Sequence, residues 1–116
     1  MMVYVWILGG LVLGVAIGII SPFDVPVSYA KYTSVALLAA LDSVFGGTRA
    51  AIERTFQLSI FITGFFSNSL LAAVLVFLGN AVGIDLYYVA LISFGLRLFQ
   101  NTAAIRRLLL TKRLHT

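Results

Sequence analysis

The sequence predicts an all-α membrane protein, a polytopic bundle of four transmembrane helices with both termini in the cytoplasm. Hydrophobic residues make up 61% of its 116 residues and charged residues only 10%, whereas a soluble domain carries about 25% charged residues. Mean hydropathy is +1.07, and apolar runs long enough to cross a bilayer occupy most of the chain. We therefore expect one integral membrane domain, residues 1–116, with no soluble domain.

The first predicted span covers residues 3–20, which are uncharged and long enough to cross. A cleaved signal peptide is the alternative for this run. No positively charged segment precedes it, and no small-residue cleavage site lies before Ser21. The pattern therefore favours a retained transmembrane helix.

The second predicted span covers residues 27–45 and follows a connection that contains Pro22 and Pro26. It carries Lys31 and Asp42, so a re-entrant or interfacial helix, and hence a three-span bundle, is the alternative. Gly46 and Gly47 are expected to end this helix. Asp42 would then lie about 4.5 Å from the inner end of its span.

The third and fourth predicted spans cover residues 58–78 and 86–105, and a basic tail covers residues 106–116. Ser67, Asn68 and Ser69 interrupt the third span, and Arg97 lies within the fourth. Both runs have the length that a bilayer requires.

Lysine and arginine predict the orientation, because basic residues collect on the cytoplasmic side. The connection between spans two and three and the tail hold most of them, and we expect these residues to form a basic collar at the inner leaflet: Arg49, Arg54, Arg106, Arg107, Lys112 and Arg113. A net charge of +4 could also indicate nucleic acid as a partner. Membrane topology explains this distribution better, so no nucleic-acid partner is expected.

Small residues at a spacing of four predict close helix packing. Gly10, Gly14 and Gly18 share one face of the first span, and Ala39, Ser43 and Gly47 repeat the spacing in and after the second span. We expect contacts inside the bundle, with self-association through the glycine face as the alternative.

Polar residues within the spans predict a buried polar cluster, because such groups face protein or water rather than lipid. Arg97 shares a helical stripe with Ser93, Gln100 and Asn101, and Asp42 is expected to approach Arg97 in the inner leaflet. Asn68 is a further candidate for this cluster. The cluster either holds the bundle together or lines a polar path between helices.

No residue pattern indicates an enzyme. The chain has no cysteine and a single histidine, His115, next to the C-terminus. No catalytic set, metal-ligand spacing or phosphate-binding loop is present in the sequence. We therefore expect no catalytic residues, no cofactor and no metal.

Several segments resemble the bacterial small basic protein family, a family of membrane proteins of unknown function that are often encoded beside cell-division genes. The two most specific segments are Leu41–Ala50 (LDSVFGGTRA) and Phe94–Asn101 (FGLRLFQN) with the following Ile105-Arg106-Arg107; Gly64–Asn68 (GFFSN) and Asp85–Tyr87 (DLY) are also similar. The resemblance covers nearly the whole chain. It implies a role in the envelope or in division, and it brings no biochemical role for any residue.

The expected function is therefore that of a non-enzymatic protein of the bacterial cytoplasmic membrane. It would pack with itself or with other membrane proteins of the envelope or the division machinery. The alternative is a small transporter or channel subunit with a polar inner-leaflet path around Asp42 and Arg97.

Overall fold

The computed structural model describes the backbone of residues 3–114 and the side chains of residues 3–111. Four α-helices make up nearly all of it: α1 (Val3–Ile20), α2 (Ala30–Ile52), α3 (Leu58–Val82) and α4 (Tyr87–Leu114). One 3₁₀ turn, Val27–Tyr29, leads into α2. The all-α architecture with four helices agrees with the prediction.

Three helical segments are long and apolar enough to cross a membrane among the residues described. They are Val3–Ile20, Val27–Ile52 and Leu58–Val82. The second of these includes α2, for which the sequence also allowed a re-entrant helix. Helix α4 has the required length but is more polar, because Arg97, Gln100 and Asn101 lie near its middle.

Helix α2 lies at the centre of the bundle and packs against α1, α3 and α4. The core lies between α2, α3 and α4 and consists mainly of small side chains: Val35 and Ala39 from α2, Ala72 and Val76 from α3, and Ala90 and Phe94 from α4. Small side chains let helix backbones approach closely, which increases the dispersion attraction between them. Ala39 thus packs inside the bundle, as its spacing predicts.

Helices α2 and α4 run parallel. Three polar contacts join the two helices, and they follow one another in the same order along each helix. They are Lys31 with Asp85 just before α4, Asp42 with Arg97, and Arg49 with Asn101. Helix α3 connects them and therefore runs in the opposite direction. Helix α2 has extensive contacts with both α3 and α4, whereas the contact between α3 and α4 is smaller.

The prediction that Gly46 and Gly47 end the second helix is wrong, since α2 continues through both glycines to Ile52. A Cβ at Gly47 would lie 2.8 Å from the Phe61 ring of α3, and one at Gly46 would lie 3.4 Å from Asn101 Nδ2 of α4. The glycines therefore allow neighbouring helices to approach, and packing compensates for their low helix propensity. Asp42 lies ten residues before the end of α2 at Ile52. Its distance from the helix end is therefore about 15 Å, whereas the predicted end at residue 45 gave about 4.5 Å.

The basic tail is also not a separate segment, because α4 continues through residue 105 to Leu114. The connection between α3 and α4 is short by comparison. Helix α3 ends at Gly83, whose φ of 75° is left-handed, and the N–H groups of Gly83 and Ile84 both donate to the carbonyl oxygen of Gly79. This arrangement satisfies carbonyl groups that the helix end would otherwise leave free.

Helix α1 packs against α2 and contains no buried residue. Its partly buried residues all lie in its first half: Val3, Ile7, Leu8 and Leu11. The expectation that Gly10, Gly14 and Gly18 pack inside the bundle is wrong for this helix. Within the described residues, no atom lies within 4 Å of the position that a Cβ would take at any of them.

Candidate functional site

A cleft of about 230 Å³ lies between α2 and α3, with Arg97 of α4 at one end. Its α2 wall runs from Asp42 through Gly46 to Ala50, and its α3 wall runs back from Asn68 to the loop before the helix. That loop contributes Thr55, Phe56 and Gln57. The remaining lining residues are Ser43, Gly47, Ile60, Phe61, Gly64 and Phe65.

Asp42 is the most deeply buried polar residue of the cleft, with 1% of its surface exposed. Neither of its carboxylate oxygens accepts a hydrogen bond from the described part of the protein. A buried carboxylate is costly unless it is paired or hydrogen-bonded. This residue therefore dominates the electrostatics of the cleft.

Arg97 supplies the countercharge. Its Nη2 lies 3.0 Å from Asp42 Oδ2, yet about half of the Arg97 side chain is exposed. The N–H bonds of this nitrogen do not point at the oxygen closely enough to form a hydrogen bond, since Oδ2 has no hydrogen-bond donor. Coulomb attraction therefore holds the pair, and the carboxylate can still accept hydrogen bonds.

The polar stripe expected on the fourth helix is divided in the structure. Phe94 is buried and Asn101 partly buried against α2, whereas Ser93 and Gln100 are exposed. At 3.6 residues per turn, the side of the helix that carries Phe94 and Asn101 lies on one flank of Arg97, and the side that carries Ser93 and Gln100 lies on the other. Gln100 therefore does not join the buried polar cluster, and Arg97 reaches Asp42 from the edge of the interface.

Asn101 pairs with Arg49 rather than with Asp42. Arg49 Nη1 donates to Asn101 Oδ1 at 3.2 Å, and Arg49 Nε lies 3.5 Å from Glu53 Oε2. Arg49 therefore links the end of α2 to α4 and is partly buried. Arg49 lies near the same end of α2 as Arg54, and its place in the basic collar stays a prediction.

The other basic residues of the predicted collar are more exposed. Arg54, Arg106 and Arg107 are on the surface, and Arg54 has a left-handed φ of 62° where α2 ends. The side chains of Lys112 and Arg113 lie outside the described residues, as does His115. The collar is therefore described only in part.

A second, apolar groove of about 880 Å³ lies beside the contact of α1 with α2 and extends to the start of α3. Gly10, Gly14 and Gly18 line its α1 side, and Leu37, Ala40 and Val44 line its α2 side. Phe56, Leu58 and Phe61 close the end nearest the α2–α3 loop. The glycine stripe therefore borders open space rather than another helix of the chain.

Sequence reasoning named Asn68, which lines the cleft with Asp42 and Arg97, but it missed the rest of the α3 side. Gly64 and Phe61 both line it, but an apolar run gives no signal for which of its residues face a neighbouring helix. It also missed the pair at the opposite end of the bundle, where Lys31 Nζ lies 3.1 Å from Asp85 Oδ1 and 5.7 Å from the Tyr87 ring centre. The positions of Lys31 and Asp85 at the ends of apolar runs could have suggested this pair.

Comparison with known proteins places the whole cleft within a matched family region. The family described as "Protein of unknown function (DUF1290)" matches residues 25–110, which include α2, α3, most of α4 and all residues of the cleft. Helix α1 lies before this region. No solved structure matches the chain.

Curated relatives cover most of the chain. The "Small basic protein" of Bacillus subtilis is 52% identical over 103 residues, which are 89% of this chain and 85% of the relative. Uncharacterised proteins of Mycobacterium bovis and Mycobacterium tuberculosis are each 38% identical over 102 residues, 86% of this chain and 84% of the relative.

Proposed function

This chain belongs to the DUF1290 family of bacterial small basic proteins, and we propose that it is a non-enzymatic membrane protein. We further propose that it receives a transmembrane helix of another envelope protein against α1. The partners that the family resemblance implies are proteins of the envelope and of cell division. The observation that carries the proposal is the open glycine face of α1.

The proposal includes four membrane spans. The parallel arrangement of α2 and α4 supports the fourth, because α4 lies beside α2 from Lys31 to Arg49. This stretch corresponds to about 27 Å of helix, close to the thickness of the hydrocarbon core. If α2 crosses the bilayer, α4 crosses beside it, and contacts with α2 compensate for Arg97 and Asn101.

The proposed orientation places both termini in the cytoplasm. Arg54 at the end of α2 and Arg106 and Arg107 in the second half of α4 lie toward the same end of the bundle, as the parallel packing requires. Lys31, Asp85 and the neighbouring tyrosines lie at the other end. The excess of arginine at the first end supports its assignment to the cytoplasm.

Helix α1 is well suited to receive another helix. Three glycines at a spacing of four expose its backbone, and the groove beside them is apolar. In lipid, a stripe of this kind gains dispersion contacts and weak Cα–H hydrogen bonds when a second helix packs against it. The stripe makes no such contact within the described chain.

Photo-crosslinking from α1 in native membranes tests this proposal. A photoreactive amino acid at Val15, which lines the groove, should form a protein adduct. Gly14→Leu should abolish the adduct, because its side chain would fill the position of closest approach. Gly9→Leu is the matched control, since Gly9 is equally unobstructed but does not line the groove.

The mass of the adduct identifies the partner. An adduct of twice the monomer mass would indicate a second copy of this chain, and any other protein mass would indicate a different membrane protein. Crosslinks to lipid alone, or adducts that Gly14→Leu and Gly9→Leu affect equally, would refute the proposal.

A further inference from the structure

The cleft between α2 and α3 joins a buried charge to one end of the bundle. At its inner end lies the Asp42 carboxylate, and at its outer end lie the exposed residues Thr55 and Gln57 of the α2–α3 loop. The α2 wall between Asp42 and Ala50 spans eight residues, about 12 Å. The cleft is therefore a route from the loop to the middle of α2.

Small residues keep this route open. Gly46 and Ala50 line it on α2, and Gly64 lines it on α3. No described atom lies within 4 Å of the position that a Cβ would take at Gly64. A volume of about 230 Å³ accommodates several water molecules.

The second observation concerns Asp42, whose carboxylate is buried and has no hydrogen-bond donor among the described residues. Asp42 is 1% exposed, and neither oxygen receives a donor from the described residues. Buried polar groups in proteins are almost always hydrogen-bonded, to protein or to water. Both oxygens are also closed to solvent, so a donor from the cleft reaches them only when neighbouring side chains move, of which the half-exposed Arg97 is one.

We propose that the cleft is a water-filled path, entered from the α2–α3 loop, that delivers protons to Asp42. In the transfer, a hydronium ion in the cleft donates to a carboxylate oxygen of Asp42. One O–H bond breaks, one O–H bond forms, and a water molecule remains. Arg97 loses its ion pair with Asp42 until the proton leaves by the same route.

The groups around Asp42 favour a proton over a metal ion. Arg97 of α4 is the charged group that faces it, whereas α3 contributes the neutral Asn68 and α1 carries no charge between residues 3 and 20. A bound metal cation would need several oxygen ligands, and the cleft lining contains one carboxylate. A proton needs a single oxygen atom.

Cysteine labelling tests the path without altering Asp42 or Arg97. The chain has no cysteine, so one introduced thiol reports on its own surroundings. Methanethiosulfonates react with the thiolate, which forms only where water reaches. Gly64→Cys should therefore react about tenfold faster than Thr63→Cys, its exposed neighbour at nearly the same depth outside the cleft.

The side of reagent addition tests entry from the α2–α3 loop. In sealed vesicles, Gly64→Cys should react with an impermeant reagent only from the side on which Gln57→Cys reacts. Equal rates for Gly64→Cys and Thr63→Cys, or reaction of Gly64→Cys from both sides, would overturn the path.

Infrared spectroscopy tests the proton site. The chain contains three aspartates, Asp24, Asp42 and Asp85, so Asp24→Asn combined with Asp85→Asn leaves Asp42 as the single isotopically labelled aspartate. Lowering the pH should convert its carboxylate bands into the C=O stretch of a protonated carboxyl group. Asp42→Asn should remove the labelled signal.

The Asp24→Asn and Asp85→Asn background retains Asp42 and Arg97, so the measurement does not depend on the folding of an Asp42 variant. Asp85 forms only an exposed ion pair with Lys31, which contributes little to stability. A labelled signal that does not change with pH would overturn the proton site even if the cleft is wet.

Discussion

Asp42 and Arg97 form an ion pair in which the two residues are buried to very different extents. The carboxylate is 1% exposed, whereas about half of the Arg97 side chain is exposed. Removing the arginine leaves a buried charge without a countercharge, and removing the aspartate leaves a charge that can turn toward the surface. The two single substitutions should therefore have unequal effects.

We expect Arg97→Met to lower the free energy of unfolding by about 3 kcal/mol or more, because it leaves the buried carboxylate unpaired. Asp42→Ala should cost less, and adding Arg97→Met to Asp42→Ala should restore part of the loss. Chemical denaturation of the four proteins in one detergent measures this cycle. Additive effects would show that the pair is not energetically coupled.

The sequence could indicate that Asp42 and Arg97 would meet, because two opposite charges within apolar runs have few other partners. It could not indicate which one would be buried. Which of the two charges is buried depends on the side of α4 that faces α2. Phe94 and Asn101 lie in the interface between these helices, and Arg97 lies at its edge. A rotation of about one residue position would have placed Gln100 in the cleft instead.

At the scale of the helices, glycines have two different effects on packing. Gly79 lies where α3 meets the connection to α4, and a Cβ there would be 2.5 Å from the Ile84 carbonyl oxygen and 3.1 Å from Leu86 N. Both atoms belong to the backbone and cannot turn aside. Gly95 of α4 has no atom within 4 Å of its Cβ position among the described residues.

Gly79→Ala should therefore destabilise the protein by about 1–3 kcal/mol, because the α3–α4 connection must move to avoid the overlap. Gly95→Ala is the matched control. It should be neutral or stabilising by up to about 1 kcal/mol, since alanine favours helix more than glycine does. Thermal unfolding in detergent measures both, and a similar loss in the two variants would contradict the close contact at Gly79.

The sequence predicted the existence of each helix but not all of its limits. Adjacent glycines usually weaken a helix, so ending the second one at Gly46 was reasonable from propensity alone. The reason that it continues lies in α3 and α4, whose Phe61 and Asn101 occupy the space beside Gly47 and Gly46. Such contacts between distant segments cannot be derived from local sequence.

For the whole molecule, the parallel pairing of α2 and α4 makes the orientation testable. In the proposed four-span arrangement, the 3₁₀ turn before α2 lies outside the cell and the α2–α3 loop lies inside. Each segment contains an exposed polar residue, Ser28 in the first and Gln57 in the second.

Ser28→Cys should react with an impermeant thiol reagent added to intact cells, and Gln57→Cys should react only after the membrane is opened. The arginine-rich end of the bundle faces the cytoplasm in this orientation. The absence of native cysteine makes background labelling of this chain impossible. The reverse pattern would invert the topology, and labelling of both sites from outside would rule out a crossing by α2.

The pairing of α2 with α4 also has a consequence for the synthesis of the protein. Arg97 leaves the ribosome about 55 residues after Asp42, a delay of several seconds at about 5–20 residues per second. Throughout that interval α2 carries a carboxylate for which its own countercharge does not yet exist. In the proposed four-span arrangement, helix α2 either waits beside the insertion machinery until α4 arrives or enters the bilayer with Asp42 protonated. Insertion would then depend on the order in which the helices are synthesised.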